Sequence, residues 1–369
     1  MRQKSTIYVL FIFLLLLTFL SNSGFAAIKS SIQPSQPSRS FNMGFAPIPR
    51  QTAPGEPTVE DWMDAFELID RNAEFVLHHV HLSKADWAAF SERIDVGTYE
   101  AYAGLEFIVL MAEQRNLDVF IVIDPLTSNR QDMAANPFAT GFHDPKIREA
   151  FKNFSIRIAR DYKRLTNGRT LRFLALGSEV NTYFKFHPDD ASNFITLYGQ
   201  TYRLLKSEFP QTKITSTLQY ELLNGQFDGN PRWDIIQQFG SKLDAVAITT
   251  YPGAFFERPD AIPNDYYLRL KQFTKKPILV AESGWPTAGD PSWHGSKENQ
   301  KRFLTRFIEL TSKMNLKLWI WWFPHDSTGE GYPAYFRSMG LRTSDGVAKP
   351  AWETWQKIFS RRNQNQASS

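Results

Sequence analysis

Two glutamates each close a short apolar run: Glu179 ends LALGSE and Glu282 ends PILVAE. A facing pair of carboxyl groups can divide a substitution between them, one donating and later taking a proton while the other attacks the reacting carbon. Hydrolysis of a glycosidic bond with retention needs such a pair about 5–5.5 Å apart. Acids at strand ends are also common on protein surfaces, so the pair alone leaves a structural explanation open. A second group lies in HHVH, His78–His81. Side chains alternate along a strand, so His79 and His81 share a face and His78 does not. That strand offers a metal at most two ligands, with Asp124 able to add a third. Binding of hydroxyl groups by the histidines, with Asp124 bracing His81 or capping a helix, fits these residues better. No metal and no cofactor are expected.

The chain of 369 residues is 42% hydrophobic, enough for a sizeable core, and has no cysteine. Disulfide scaffolds, thiolate metal sites and thiol catalysis are thereby excluded. Its 42 basic and 38 acidic residues give a net charge of +4, without the basic stripe of a nucleic-acid binder. Arg2 and Lys4 precede the apolar run Ile7–Leu20, and small residues at Gly24 and Ala26 follow. This is the layout of a signal peptide cleaved after Ala26. The run is short for a membrane span of about 20 residues, and no later stretch is apolar enough for one. Residues 27–40 form a Ser/Pro/Gln-rich linker, 41–361 the folded domain and 362–369 a polar tail. The mature protein is expected to be secreted or periplasmic and monomeric, away from nucleotide cofactors.

The elements that must position these residues alternate regularly. Strands are expected at Phe41–Pro47, Glu74–His81, Leu117–Pro125, Leu171–Glu179, Lys213–Tyr220, Leu243–Pro252, Lys276–Trp285 and Leu316–Asp326. Amphipathic helices lie between them, among them Val59–Arg71, Asp144–Leu165, Pro188–Phe209 and Lys297–Met314, and Pro350–Phe359 closes the domain. Eight βα units imply a parallel α/β fold, a single-domain (β/α)8 TIM barrel. A doubly wound sheet would carry a Gly-rich turn after its first strand, where this chain has only Gly44.

Barrel active sites lie at the C-terminal strand ends. Those ends are Pro47, His79 and His81, Asp124, Glu179, Tyr220, Tyr251, Glu282 and the pair Trp321/Trp322. Acids, flat rings and polar groups together suit a carbohydrate. With regular strands, Glu179 shares a face with Phe173 and Ala175, Glu282 with Ile278 and Val280, and Trp322 with Leu318 and Ile320. Trp321 joins Trp322 at the mouth only if the strand end twists. Trp233, Trp285 and Trp293 fall in loops at the barrel top, where they could stack on distal sugar units. Trp352 and Trp355 read as core.

Several segments carry a resemblance. AESGWPT (Ala281–Thr287) resembles the nucleophile strand of the clan A glycoside hydrolases, closest to the E-[TS]-G-W-P run of endo-β-1,4-galactanases and endo-β-1,3-glucanases. GSEVN (Gly177–Asn181) resembles their acid/base strand, usually written G-N-E. Tyr251-Pro252, WWFPHD (Trp321–Asp326) and GLRTSDGVAKPAWETW (Gly340–Trp355) are similar to their strand-six tyrosine, their aromatic floor and their closing element. The resemblance implies a retaining β-glycosidase acting on a polysaccharide or oligosaccharide. Glu282 would be nucleophile, Glu179 acid/base, Tyr251 the donor that orients Glu282, and Trp322 the ring beneath the sugar. One position departs: Ser178 stands where the family has the Asn that binds the sugar 2-hydroxyl. Asn181 could turn back to take that place. The departure also motivates an alternative, a carbohydrate-binding barrel with little catalysis.

Overall fold

The computed structural model describes residues 38–50, 57–289, 293–328 and 333–364. The expected signal peptide, the linker through residue 37 and the last five residues lie outside them. Nine strands, all paired in parallel, form one sheet: β1 (Asn42–Phe45), β2 (Phe75–His81), β3 (Asp118–Asp124), β4 (Phe173–Leu176), β5 (Lys213–Thr215), β6 (Thr217–Gln219), β7 (Val246–Thr250), β8 (Ile278–Ser283) and β9 (Leu316–Trp321). Their order is β5-β4-β3-β2-β1-β9-β8-β7-β6. Only Ser216 separates β5 from β6; the first pairs with β4 and the second with β7. They are two halves of one position, so the ring closes as the eight-stave TIM barrel.

Local chemistry starts the helices where the sequence places them. Thr58 and Ser83 cap Val59–Asn72 and Lys84–Phe90 with reciprocal bonds to Asp61 and Asp86, satisfying amide groups that a helix start leaves free. Asp144 caps the long helix Pro145–Leu165. The helices pack Phe66, Ile69, Phe151, Phe154, Leu197, Phe307 and Trp355 onto the outer strand faces. Inside the ring, Phe75, Leu77, Phe120, Val122, Phe173, Ala175, Ala247, Leu279, Leu318 and Ile320 fill the barrel. The ends of the domain reach further than the sequence boundaries. Arg39 pairs in a β-bridge with Asn363, and its guanidinium, buried beneath β1, joins Glu74 and the Phe41 carbonyl.

One irregularity decides the site. Ile278 and Val280 face the helices while Leu279 and Ala281 face inward, the reverse of the expected facing. The β7–β8 register runs Ile248↔Val280 and then Thr249↔Glu282, leaving Ala281 unmatched. This bulge adds one residue and turns Glu282 back into the barrel. Glu282 reaches the mouth because its strand is irregular.

Close packing on β1 generates a stability test. A Cβ on Gly44 would lie 2.8 Å from the Phe75 carbonyl oxygen and 3.1 Å from Ile320 Cγ1. Gly44→Ala should cost about 1–3 kcal/mol in urea unfolding. Gly104, in the helix Glu100–Glu113, has open space around it, so Gly104→Ala should gain roughly 0.5–1 kcal/mol. Equal effects of the two substitutions would contradict this account of the barrel interior.

Candidate active site

Strand β4 ends at Leu176, three residues short of Glu179. The intervening turn uses Gly177 at φ +91°, where a Cβ would strike Val180 at 2.5 Å. Glu179 itself is left-handed, at φ 46° and ψ 43°, a conformation that costs a non-glycine residue about 1–2 kcal/mol. Its amide donates to Thr217 Oγ1 at 2.8 Å, which helps hold it there. The carboxyl group accepts from Thr249 Oγ1 at 2.5 Å, and its other oxygen lies 3.7 Å from Arg130 Nε. Burial, and then the charge of Glu282, push Glu179 up to about 7, against Arg130 and Thr249.

The bulged end of β8 sets Glu282 between two donors. Tyr251 donates its hydroxyl to Oε2 at 2.8 Å, and His79 Nε2 lies 3.2 Å from Oε1. Burial and the nearby carboxylates hold the Tyr251 phenol far above its ordinary range, so it remains a donor. On its other side, His79 Nδ1 is 3.5 Å from Asp124 Oδ2. Burial alone would lower His79; its bonds to Asp124 and Glu282 outweigh it and raise the imidazole to about 9. Asp124 is fully buried, and Arg130 Nη1 donates to it at 2.6 Å. Despite burial, Arg130 and His79 keep Asp124 below its ordinary value. A chain of alternating charge, Arg130–Asp124–His79–Glu282, thus crosses the mouth and ends at Tyr251.

Of the sequence-selected residues, Trp322 sits at the mouth beside this chain, its ring edge-on to His79 at 5.3 Å. His81 is more exposed and lies 3.8 Å from Asp124. His79, His81 and Asp124 bring one donor atom each within 4.8 Å of one another. Arg130 Nη1 shares the Asp124 carboxylate with these histidines. Trp293 stacks on Tyr335 at 4.2 Å and lies edge-on to Tyr251.

Five other binding candidates lie elsewhere, as does Trp233. Trp321 is fully buried on the outer face, donating to the Met339 carbonyl. Trp285 is sealed against Phe303, and Trp233 is stacked on Phe273. Tyr220 begins a helical turn in the outer core and donates to the Tyr266 carbonyl. Asn181 spends both ends of its amide on the backbone of Gln219, so it does not turn back toward a sugar. Ser178 is 0% exposed, with Oγ 3.5 Å from Thr217 Oγ1. A side chain that water cannot reach makes no direct contact with a sugar hydroxyl.

The sequence reading missed Arg130, Thr249 and Glu221. Arg130 follows β3 in a surface-like SNRQD run and reaches the site because its own backbone is left-handed, at φ 61°. Thr249 needed only the alternation that selected Tyr251. Beside the loops after β3 and β4 a cleft of about 650 Å³ opens, lined by Asp132, Asn136, His143, His187 and Asp190.

A parallel barrel of eight staves is an architecture found among glycoside hydrolases. Solved structures of such proteins share it with this chain. A β-glucuronidase from an uncultured Clostridium superposes with TM-score 0.58 at 14% identity over 87% of this chain, which spans 50% of that protein's length. An exo-β-1,4-mannosidase from Opitutaceae bacterium strain TAV5 gives TM-score 0.66 at 15% identity, covering 90% of this chain and 61% of the other. Fungal β-1,4-galactanase gives 0.60 at 15%, covering 81% and 90%. No protein-family model and no curated protein matches the sequence. At these identities the shared property is the fold.

The raised pKa of Glu179 has a consequence for stability. A carboxyl group moved from 4.5 to about 7 on folding binds its proton more tightly in the native state, so the native state loses stability as pH rises through that window. Glu179→Gln removes the titration. The variant should be more stable than wild type at pH 8, with the difference fading toward pH 4.5, in chemical denaturation followed across pH. A constant difference would place the carboxyl group in a more polar setting than this one.

Proposed function

We propose that this protein is a secreted, monomeric retaining β-glycosidase that acts on a polysaccharide or oligosaccharide without metal or cofactor. The observation that carries this reading is the contrast between its two carboxyl groups. Glu282 faces a phenol and an imidazolium, the donors that suit a carboxylate nucleophile. Glu179 is held protonated to about 7, chiefly by burial, as a general acid must be. In the first step Glu282 attacks the anomeric carbon while Glu179 protonates the departing oxygen. The Glu179 anion so formed lies 3.7 Å from Arg130, which stabilises it until it takes a proton from the incoming water. The apolar run before Ala26 supports secretion, and among the described residues no helix is long and apolar enough to cross a membrane.

Burial of Ser178 favours one point of the alternative, a barrel that binds glycans and cuts them slowly. The residue before the acid does not touch the sugar, and 2-hydroxyl bonds that tighten in the transition state are worth several kcal/mol. A hydrolysis screen over a glycan library, with binding measured on the same set, separates the readings: binding without products on every glycan would favour the alternative.

Three results are expected once a substrate is found. Glu282→Gly should abolish turnover, with azide restoring it by occupying the vacated space. Glu179→Ala should lose roughly 10²–10⁴-fold on substrates with poor leaving groups and far less on activated aryl glycosides. For the wild type, kcat/KM should fall on an alkaline limb near pH 7, because the proton needed on Glu179 is lost there. Rescue patterns exchanged between the two variants would reverse the assignment of nucleophile and acid.

A further inference from the structure

A fourth carboxyl group lies just behind the mouth and takes no part in the steps above. Glu221, in the helical turn Tyr220–Leu223, is 1% exposed and has no ion pair among the described residues. Its Oε1 collects three donors: Thr250 Oγ1 at 2.7 Å, the Tyr251 amide at 3.1 Å and the Tyr266 hydroxyl at 3.4 Å. Thr250 Oγ1 also lies 2.8 Å from the Tyr267 hydroxyl, which braces the same point from a second side.

The gripped residues matter because of their neighbours. Thr249 donates to Glu179, and Tyr251 donates to Glu282. Three consecutive residues at the end of β7 therefore alternate inward, outward and inward, and Glu221 holds the outward one and the amide that follows it. We propose that Glu221 is a positioning residue for the catalytic pair: by fixing Thr250 and the Tyr251 amide, it sets the aim of the two hydroxyl groups that bind Glu179 and Glu282.

Geometry makes this a stronger role than packing. An apolar side chain of the same volume would leave the Tyr251 amide without its acceptor in a dry interior and the Thr250 hydroxyl with Tyr267 alone, and an unsatisfied buried donor costs more than the lost bond alone. The end of β7 would then be free to shift, and misplacement of about 1 Å can cost 10²-fold in rate. The groups facing Glu221 are Tyr251, Tyr266, Tyr267 and Tyr220, and the Glu179 carboxyl group also acts on it. None of these supplies a positive charge. The role therefore needs an acceptor oxygen, and Gln can provide one.

The proposal rests on the glycosidase reading for its kinetic arm only. The other arm titrates the Glu179 carboxyl carbon by NMR in protein labelled with ¹³C-glutamate, assigned by its loss in Glu179→Gln, and needs no substrate. The Thr249 bond favours ionised Glu179. Glu221→Gln removes the negative charge coupled to Glu179 but keeps the acceptor oxygen, so it is the reference, and Glu221→Ala should raise the Glu179 midpoint above it. Thr250→Val, which removes one of the three donors and no catalytic contact, should shift it the same way by less. With substrate, Glu221→Ala should lower kcat roughly 10²-fold with KM changed less than twofold, and Glu221→Gln should recover most of the loss. Should Glu221→Ala fail to fold, Thr250→Val decides the matter. A folded Glu221→Ala whose Glu179 midpoint equals that of Glu221→Gln, or a folded Thr250→Val whose midpoint equals that of wild type, would reduce Glu221 to a packing residue and overturn the proposal, whatever its melting temperature. A wild type that hydrolyses nothing, with the midpoint shifts intact, would count against the glycosidase reading and leave the positioning role standing.

Discussion

Carboxyl groups are costly to bury unless positive charge or several donors come with them, and the mouth of this barrel gathers four: Asp124, Glu179, Glu221 and Glu282. Two cations are present to meet them. Arg130 lies against Asp124, and protonated His79 bridges Asp124 and Glu282. With those two carboxylates matched, Glu179 and Glu221 are left with hydroxyl and amide donors and a more distant Arg130. Burial dominates at both, and each is pushed up to about 7. The contrast in surroundings between Glu179 and Glu282 thus follows from where two positive charges are placed, on β2 and in the loop after β3.

Those placements depend on departures from regular structure. Glu179 and Arg130 are both left-handed, and Glu282 faces inward through the bulge at Ala281. Strain of this kind persists only where surrounding bonds over-determine it. At Glu179 they do: Thr217, Thr249 and the tight Gly177 turn leave the residue little alternative. Regular strands would have carried Glu282 outward among the helices, beside Val280.

This explains how far the sequence could be read. The βα alternation was legible because each strand and helix obeys its own period, and the barrel follows from counting them. Glu179, Glu282, Tyr251 and Trp322 were legible as strand ends. The facing assigned to Glu282 came from simple alternation and was wrong at Ile278 and Val280, because one unmatched residue leaves no trace in the pattern of apolar letters. Trp321 and Tyr220 were chosen as strand ends, and Trp285 as a ring in a loop at the barrel top. Large aromatic rings are equally suited to the layer between sheet and helices, and there they lie. Arg130 and Glu221 were invisible for the opposite reason: their partners are distant in sequence and assembled only by the fold.

The departure at Ser178 can be followed one step further. Ser178 is sealed and Asn181 is committed to Gln219, so neither supplies the amide that the family resemblance leads one to expect. Buried polar atoms without a hydrogen bond mark where a ligand or water is needed. One of those among the described residues is Arg130 Nε, a member of the charged chain, which lies 3.7 Å from Glu179 Oε2. It is a donor, whereas His79 Nε2 already faces Glu282 Oε1 at 3.2 Å. On the glycosidase reading, the Glu179 anion left after proton transfer would complete the bonding of that donor. A hydrogen bond from a cation is about twice as strong as one between neutral groups, so Arg130 would favour the anion at the step where the departing oxygen takes the proton.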